Sequence, residues 1–293
     1  MTETKKVNNI KSALGLAAVL MITLGSAGTS VLTPIIAKLV EAFPDVPQST
    51  IYLISTLPSL ISLGSAMLIG PFVGRSIGYK TVSVIGTVCC LVGGVGPIAV
   101  THSIFGILAF RALFGFGMGF MNFYNAIIIA EYEGEQRAKY LGWGIVVNKI
   151  GAIFMLQMAG ALADKNWKHA FLVYGILAIV LLMEVFFMKE PEASMAGKKQ
   201  EKTEEKKAKD PIKFGKSGIS WTVAWLVILL LHYPVILTLS QIVSVKEIGG
   251  GSATVTATLN SIYQIGGMVI SAVFATCFKH LKNTTFPYCL YSA

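Results

Sequence analysis

Hydrophobic positions in this chain come in long unbroken runs, neither alternating nor confined to one helical stripe. The runs cover about residues 13–37, 51–73, 81–100, 103–130, 141–163, 169–188, 218–240 and 253–278. Each is long enough for a helix that crosses a hydrocarbon core about 30 Å thick, which takes roughly 20 residues. Backbone groups in lipid must be paired within the structure, which leaves helices or a closed barrel. Barrel strands would alternate apolar and polar positions at period two, and these runs do not. The pattern predicts an all-α polytopic membrane protein of about eight transmembrane helices. A further apolar run starts at Phe286 and has eight residues to Ala293. It reads as the stub of a ninth helix, and the chain as a C-terminally truncated form of a larger architecture.

Composition agrees with a membrane bundle. Hydrophobic residues make up 54% and charged residues 13%, against about 25% charged in soluble domains. The net charge of +9 does not point to nucleic acid, because the basic residues sit in short loops and one linker with no aromatic-interleaved face. Their distribution orients the chain. With the N-terminus in the cytoplasm, 18 of the 24 lysines and arginines lie inside. Four lie outside, Lys38, Lys165, Lys168 and Lys246, and two, Arg111 and Lys149, fall within spans. The basic N-terminus before an apolar run mimics a secretory signal. Here the run continues to Val40 and more spans follow, so it is read as a retained helix in the cell (plasma or inner) membrane. Cys89, Cys90, Cys277 and Cys289 lie in apolar stretches without metal-ligand spacing and are read as packing residues. No metal site or cofactor is expected.

The segment from Lys189 to Lys216 is the one long loop, polar and of low complexity around Lys198–Lys209. Such a segment is expected to be solvated and flexible. It divides the chain into an N-terminal six-helix half (1–188), a charged cytoplasmic linker (189–216) and an incomplete C-terminal half (217–293). Gly64 and Gly266, and likewise Lys80 and Lys282, are 202 residues apart at equivalent places in the topology. That is the mark of parallel repeats in transporters.

Four features resemble the major facilitator superfamily. Gly70-Pro-Phe-Val-Gly-Arg-Ser-Ile-Gly-Tyr-Lys80 is similar to the family's loop motif G-x-x-x-D-R-x-G-R-R. Arg111-Ala-Leu-Phe-Gly-Phe-Gly-Met-Gly119 matches its R-x-x-x-G-x-G-x-G. Asn166-Trp-Lys-His-Ala-Phe171 resembles G-W-R-W-A-F, on a helix that leaves through Lys189-Glu-Pro-Glu192. The six-span half followed by a polar linker is the fourth feature. The resemblance implies a twelve-helix secondary transporter of small solutes, a monomer working by alternating access with H+ or Na+ as coupling ion. It also assigns Gly70, Gly74, Arg75, Gly78 and Lys80 to a gating loop. Gly74 stands where the family has the aspartate thought to latch the two halves, and one extra residue precedes Gly78. The fifth span lacks the proline pattern of antiporters, which points to a symporter or uniporter.

Charged groups inside a bilayer are costly and tend to be functional. Arg111 is the sharpest candidate, with Asn122 and Asn125 continuing its side of the helix. It is expected to face a wet cavity, the alternative being a structural arginine that caps neighbouring carbonyls. Lys149 lies inside the fifth span with Asn148 beside it and Gln157 on the same face. Thr23, Ser26, Ser30 and Thr33 form a polar stripe on the first span, and its hydroxyls either line a water path or bond their own helix. Asn260 and Gln264 on the eighth span, and His232 before Pro234 on the seventh, complete the substrate list. Glu184 is expected to reach the membrane interface. Two intramembrane cations without a carboxylate then predict an organic anion as substrate. The alternative function is a non-transporting fragment that acts as a binding or assembly module. No catalytic constellation appears, so the chain is not read as an enzyme.

Overall fold

The computed structural model describes residues 13–190, 216–245, 250 and 252–281. It is a helical bundle, and no strand occurs among these residues. Helix α1 is Ala13–Ala42, α2 Gln48–Phe72, α3 Tyr79–Val100, α4 Ile104–Glu131, α5 Gly134–Lys165 and α6 Trp167–Phe187. These six are long and apolar enough to cross a membrane. Helices α7, Lys216–Ser244, and α8, Ala253–Leu281, have 29 residues each. All eight fall on the runs read from sequence. Most of the predicted linker, the stub after residue 281 and the N-terminal lysines lie outside the described residues. Leu60, Leu63, Met67 and Leu68 on α2, and Leu182 and Phe186 on α6, turn outward, as lipid-facing residues do.

The glycines of α4 explain how the first six helices close. They are two residues apart, so they face two neighbours in turn. A methyl group on Gly115 would lie 2.5 Å from the carbonyl oxygen of Pro58 on α2, and one on Gly119 would strike Ser65 and Ser62 of the same helix. A methyl on Gly117 would lie 2.5 Å from the carbonyl oxygen of Gly86 on α3. The alternate glycines therefore seat α4 flush against α2 on one side and α3 on the other. Small residues permit such approach where lipid supplies no hydrophobic drive between helices.

Pro58 lies inside α2 and is buried. A proline cannot donate to the carbonyl four residues back, so the carbonyl of Ile54 loses its helical partner. Arg111 replaces it, donating from Nε to the Ile54 oxygen at 2.9 Å. Its Nη1 donates to the Tyr174 hydroxyl at 3.0 Å, and that hydroxyl donates to the carbonyl of Gly28 at 2.6 Å. One guanidinium thus joins α4 to α2 and α6, and through Tyr174 to α1. The Phe114 ring lies 4.5 Å from it and the Tyr174 ring 5.5 Å.

Two carboxylates from the end of α6 fasten it to α3. Glu184 is fully buried and its Oε1 accepts from Ser83 and Thr87, each at 2.9 Å. This corrects the expectation that it reaches the interface: the adjacent α3 offers two hydroxyls one turn apart, which hold it inside. Glu190 accepts from the backbone N–H groups of Tyr79 at 2.6 Å and Lys80 at 2.9 Å. It caps a helix whose own N-cap, Gly78, has no side chain to do so. A carboxylate at a helix N-terminus also meets the favourable end of the dipole.

Candidate functional site

Helix α1 is not one continuous helix. Turns interrupt it before a 3₁₀ stretch, Ser30–Ile35, that contains Pro34. Thr23, Ser26, Thr29, Ser30 and Thr33 each donate to the carbonyl three residues back. The stripe nevertheless faces inward as well. Ser26, Thr29, Ser30 and Thr33 line one wall of a cavity of about 260 Å³, together with Ser55 of α2. Asn148 and Lys149 of α5 form the second wall, and Tyr233 of α7 with Asn260, Tyr263 and Gln264 of α8 form the third. The site therefore lies between the first six helices and the last two.

Its polar groups are organised across that junction. Lys149 Nζ donates to Gln264 Oε1 at 2.7 Å. Asn260 Nδ2 donates to Thr33 Oγ1 at 3.0 Å. Asn148 Nδ2 donates to the carbonyl of Thr23 at 2.7 Å and to Ser26 Oγ at 3.0 Å, which braces the broken part of α1 against α5. The hydroxyl of Ser55 is buried and has no protein partner. Among the described residues, none that lines the cavity is acidic. The arrangement offers a bound solute hydroxyl and amide partners and one ammonium.

Of the residues singled out in the sequence, Ser26, Ser30, Asn148, Lys149, Asn260 and Gln264 meet at this cavity. Gln157 lies nearer the outer end of the α5–α8 seam, donating to Ser261 Oγ at 3.2 Å and Thr258 Oγ1 at 3.4 Å. Arg111 is fully buried behind the cavity, because the carbonyl freed by Pro58 and the Tyr174 hydroxyl hold it there. Its placement is the structural alternative considered for it. Asn122 and Asn125 are exposed and do not border the cavity; a break in α4 at Asn122 and Phe123 turns them away. The side chain of His232 lies outside the described residues.

In the loop after α2, Gly70 opens a 3₁₀ turn, Gly70–Phe72, and Arg75 is exposed. Gly74 has φ +76°, and its N–H donates to the carbonyl of Ile77 at 2.8 Å. A side chain there would be strained and would press on Tyr79, which accounts for glycine in place of an aspartate. Gly78 leaves room for the Glu190 carboxylate, and Lys80 Nζ donates to the carbonyl of Val185 at 2.8 Å. Ser55, Thr29 and Tyr263 went unnoticed in the sequence. Ser55 sits in an apolar run with no periodic polar neighbour, so only the cavity reveals it.

A family model described as Major Facilitator Superfamily matches residues 16–293. The chain belongs to the major facilitator superfamily. That family consists of membrane transporters, not enzymes, so the chain is a multi-pass membrane protein of secondary-transporter type. A search of curated proteins finds no match. A structure described as the D-xylose-proton symporter is similar at TM-score 0.64 and 13% identity, covering 92% of this chain and 69% of that one. The xylose transporter XylE from E. coli, in a partially occluded inward open conformation, is similar at TM-score 0.65 and 15% identity, covering 92% and 73%. At such identities the likeness is one of fold.

Proposed function

We propose that this superfamily member carries a small hydroxylated organic anion across the cell membrane by alternating access, binding it in the cavity between α1, α5, α7 and α8. The expected division into a six-helix half, a linker and an incomplete C-terminal half supports two bodies that move against each other in such a cycle. The observation that carries the reading is the cavity's composition: hydroxyls, amides and Lys149, with no acidic residue among the described lining. Lys149 donates there to the neutral Gln264 oxygen. A carboxylate can displace that amide, so that the ammonium meets a charged acceptor in place of a neutral one. At about 260 Å³ the cavity falls just below the ligand-pocket range of about 300–1,000 Å³, which fits a compact solute. The missing antiporter pattern supports symport or uniport, and the likeness to a D-xylose-proton symporter favours H+ over Na+.

The likeness to xylose transporters also favours a second reading, in which the solute is a neutral sugar held by the same hydroxyls and amides. Uptake into proteoliposomes, competed by a sugar acid and by the matching neutral sugar, separates the two. The anion reading expects the acid to compete better, and expects Lys149→Met to abolish that preference. Equal competition by both sugars refutes it.

A further inference from the structure

We propose that Asp164, at the end of α5 opposite the basic loops, is a latch that holds the outer side of the protein closed. Its position is not explained by its own helix. Asp164 lies one residue from the C-terminal end of α5, where the helix dipole disfavours a carboxylate. Its oxygens are instead occupied by groups from α1 and α8. Oδ1 accepts from the backbone N–H of Ala253 at 2.8 Å, and Oδ2 from that of Thr254 at 3.2 Å. Oδ2 also accepts from the hydroxyls of Thr254 at 2.6 Å and Ser252 at 2.9 Å. Lys38 of α1 donates to Oδ1 at 3.0 Å and to the carbonyl of Ala163 at 2.8 Å. One carboxylate from the first six helices therefore caps the N-terminus of α8 and takes an ion pair as well.

The seam beneath it is built for close contact. A methyl on Gly160 would lie 2.8 Å from Ala257 Cβ and 2.9 Å from the carbonyl oxygen of Ala253, so α5 and α8 run flush one turn below the latch. Gln157 bonds Ser261 further in, and Lys149 bonds Gln264 at the cavity. Opening the cavity outward requires α5 to leave α8 at this end, and the four bonds that Ser252, Ala253 and Thr254 make to Asp164 break in that motion, whereas the Lys38 pair lies within the first six helices. The same bonds are absent from the cost of opening inward. Asp164 thus biases the protein toward states closed on the outside, and its removal shifts the population toward outward opening.

The test is accessibility from outside. Ser30→Cys, at the cavity wall, is the reporter in a chain whose Cys89, Cys90, Cys277 and Cys289 are replaced by alanine. Intact cells are treated with a membrane-impermeant maleimide, and uptake is measured in parallel in matching chains that keep Ser30. Asp164→Ala is expected to raise the labelling rate about fivefold or more by population shift. Asp164→Asn, which keeps one acceptor, is expected to give an intermediate rise and serves if the alanine protein does not fold. Lys38→Met, which leaves the α8 cap in place, is expected to give a smaller rise than either. Labelling of folded Asp164 variants at the parental rate overturns the latch. The proposal rests on the transport reading, but the two fail separately. Unchanged labelling in a chain that still carries solute overturns the latch alone. Raised labelling of the variants when the parental chain with Ser30 intact carries no solute upholds the latch and counts against transport.

Discussion

Gly115→Ala probes the turn on which the first six helices are assembled. The new methyl would lie 2.5 Å from the Pro58 oxygen and 2.6 Å from its Cα. Ordinary van der Waals contact begins near 3.4 Å, so α2 and α4 must separate locally by about 0.9 Å. Both atoms belong to rigid backbone, and overpacking of this kind costs about 1–3 kcal/mol. The displacement has a second effect. Ile54 is one turn before Pro58, and its carbonyl lies 2.9 Å from Arg111 Nε. Adding about 0.9 Å takes that distance to roughly 3.8 Å, beyond a hydrogen bond. A bond to a charged donor is worth about 1.5–3 kcal/mol, so the combined loss is about 2.5–6 kcal/mol. Gly64 is the control, because a methyl there meets nothing within 4 Å. Alanine in place of a glycine inside a helix is otherwise worth about 0.5–1 kcal/mol in favour of folding. Thermal unfolding of purified protein in detergent reads both variants. Gly115→Ala is expected to lower Tm by roughly 6 °C or more, while Gly64→Ala leaves it unchanged or raised. Equal melting of the two refutes the claim that α2 and α4 meet backbone to backbone at this turn.

Four further substitutions, at three positions, test the same assembly. Arg111→Lys is expected to destabilise by about 3 kcal/mol, since one ammonium does not span the Ile54 carbonyl and the Tyr174 hydroxyl; denaturation measures it, and a change confined to substrate KM contradicts the buried placement. Glu184→Gln is expected to fold and melt within a few degrees of the parent, because its amide oxygen still accepts from Ser83 and Thr87. Glu184→Ala leaves two buried hydroxyls unpaired, at about 1–3 kcal/mol for each group, and a milder effect than that of the glutamine variant reverses the reading. Glu190→Ala removes the cap of α3 and is expected to lose about 0.5–2 kcal/mol, read as faster proteolysis of the loop between α2 and α3.

The order and approximate extent of the helices among the described residues follow from the sequence alone, because a membrane span is a local property. About 20 apolar residues either occur in a row or they do not. The glycine spacing of α4, the polar stripe of α1 and the intramembrane Lys149 were legible for the same reason. The destination of a polar group was not. Arg111 and Glu184 are both ionisable residues within apolar runs, and the sequence pointed one toward a cavity and the other toward the interface. Packing buried both. Arg111 was claimed by the carbonyl of Ile54, 57 residues away, which Pro58 had freed, and Glu184 by two hydroxyls on α3. The cavity lining, the Glu190 cap and the Asp164 contacts likewise join residues about 90 or more positions apart. Hydropathy placed each helix in the membrane, but hydrogen-bond satisfaction between helices decided which side chains face the solute and which hold the bundle together.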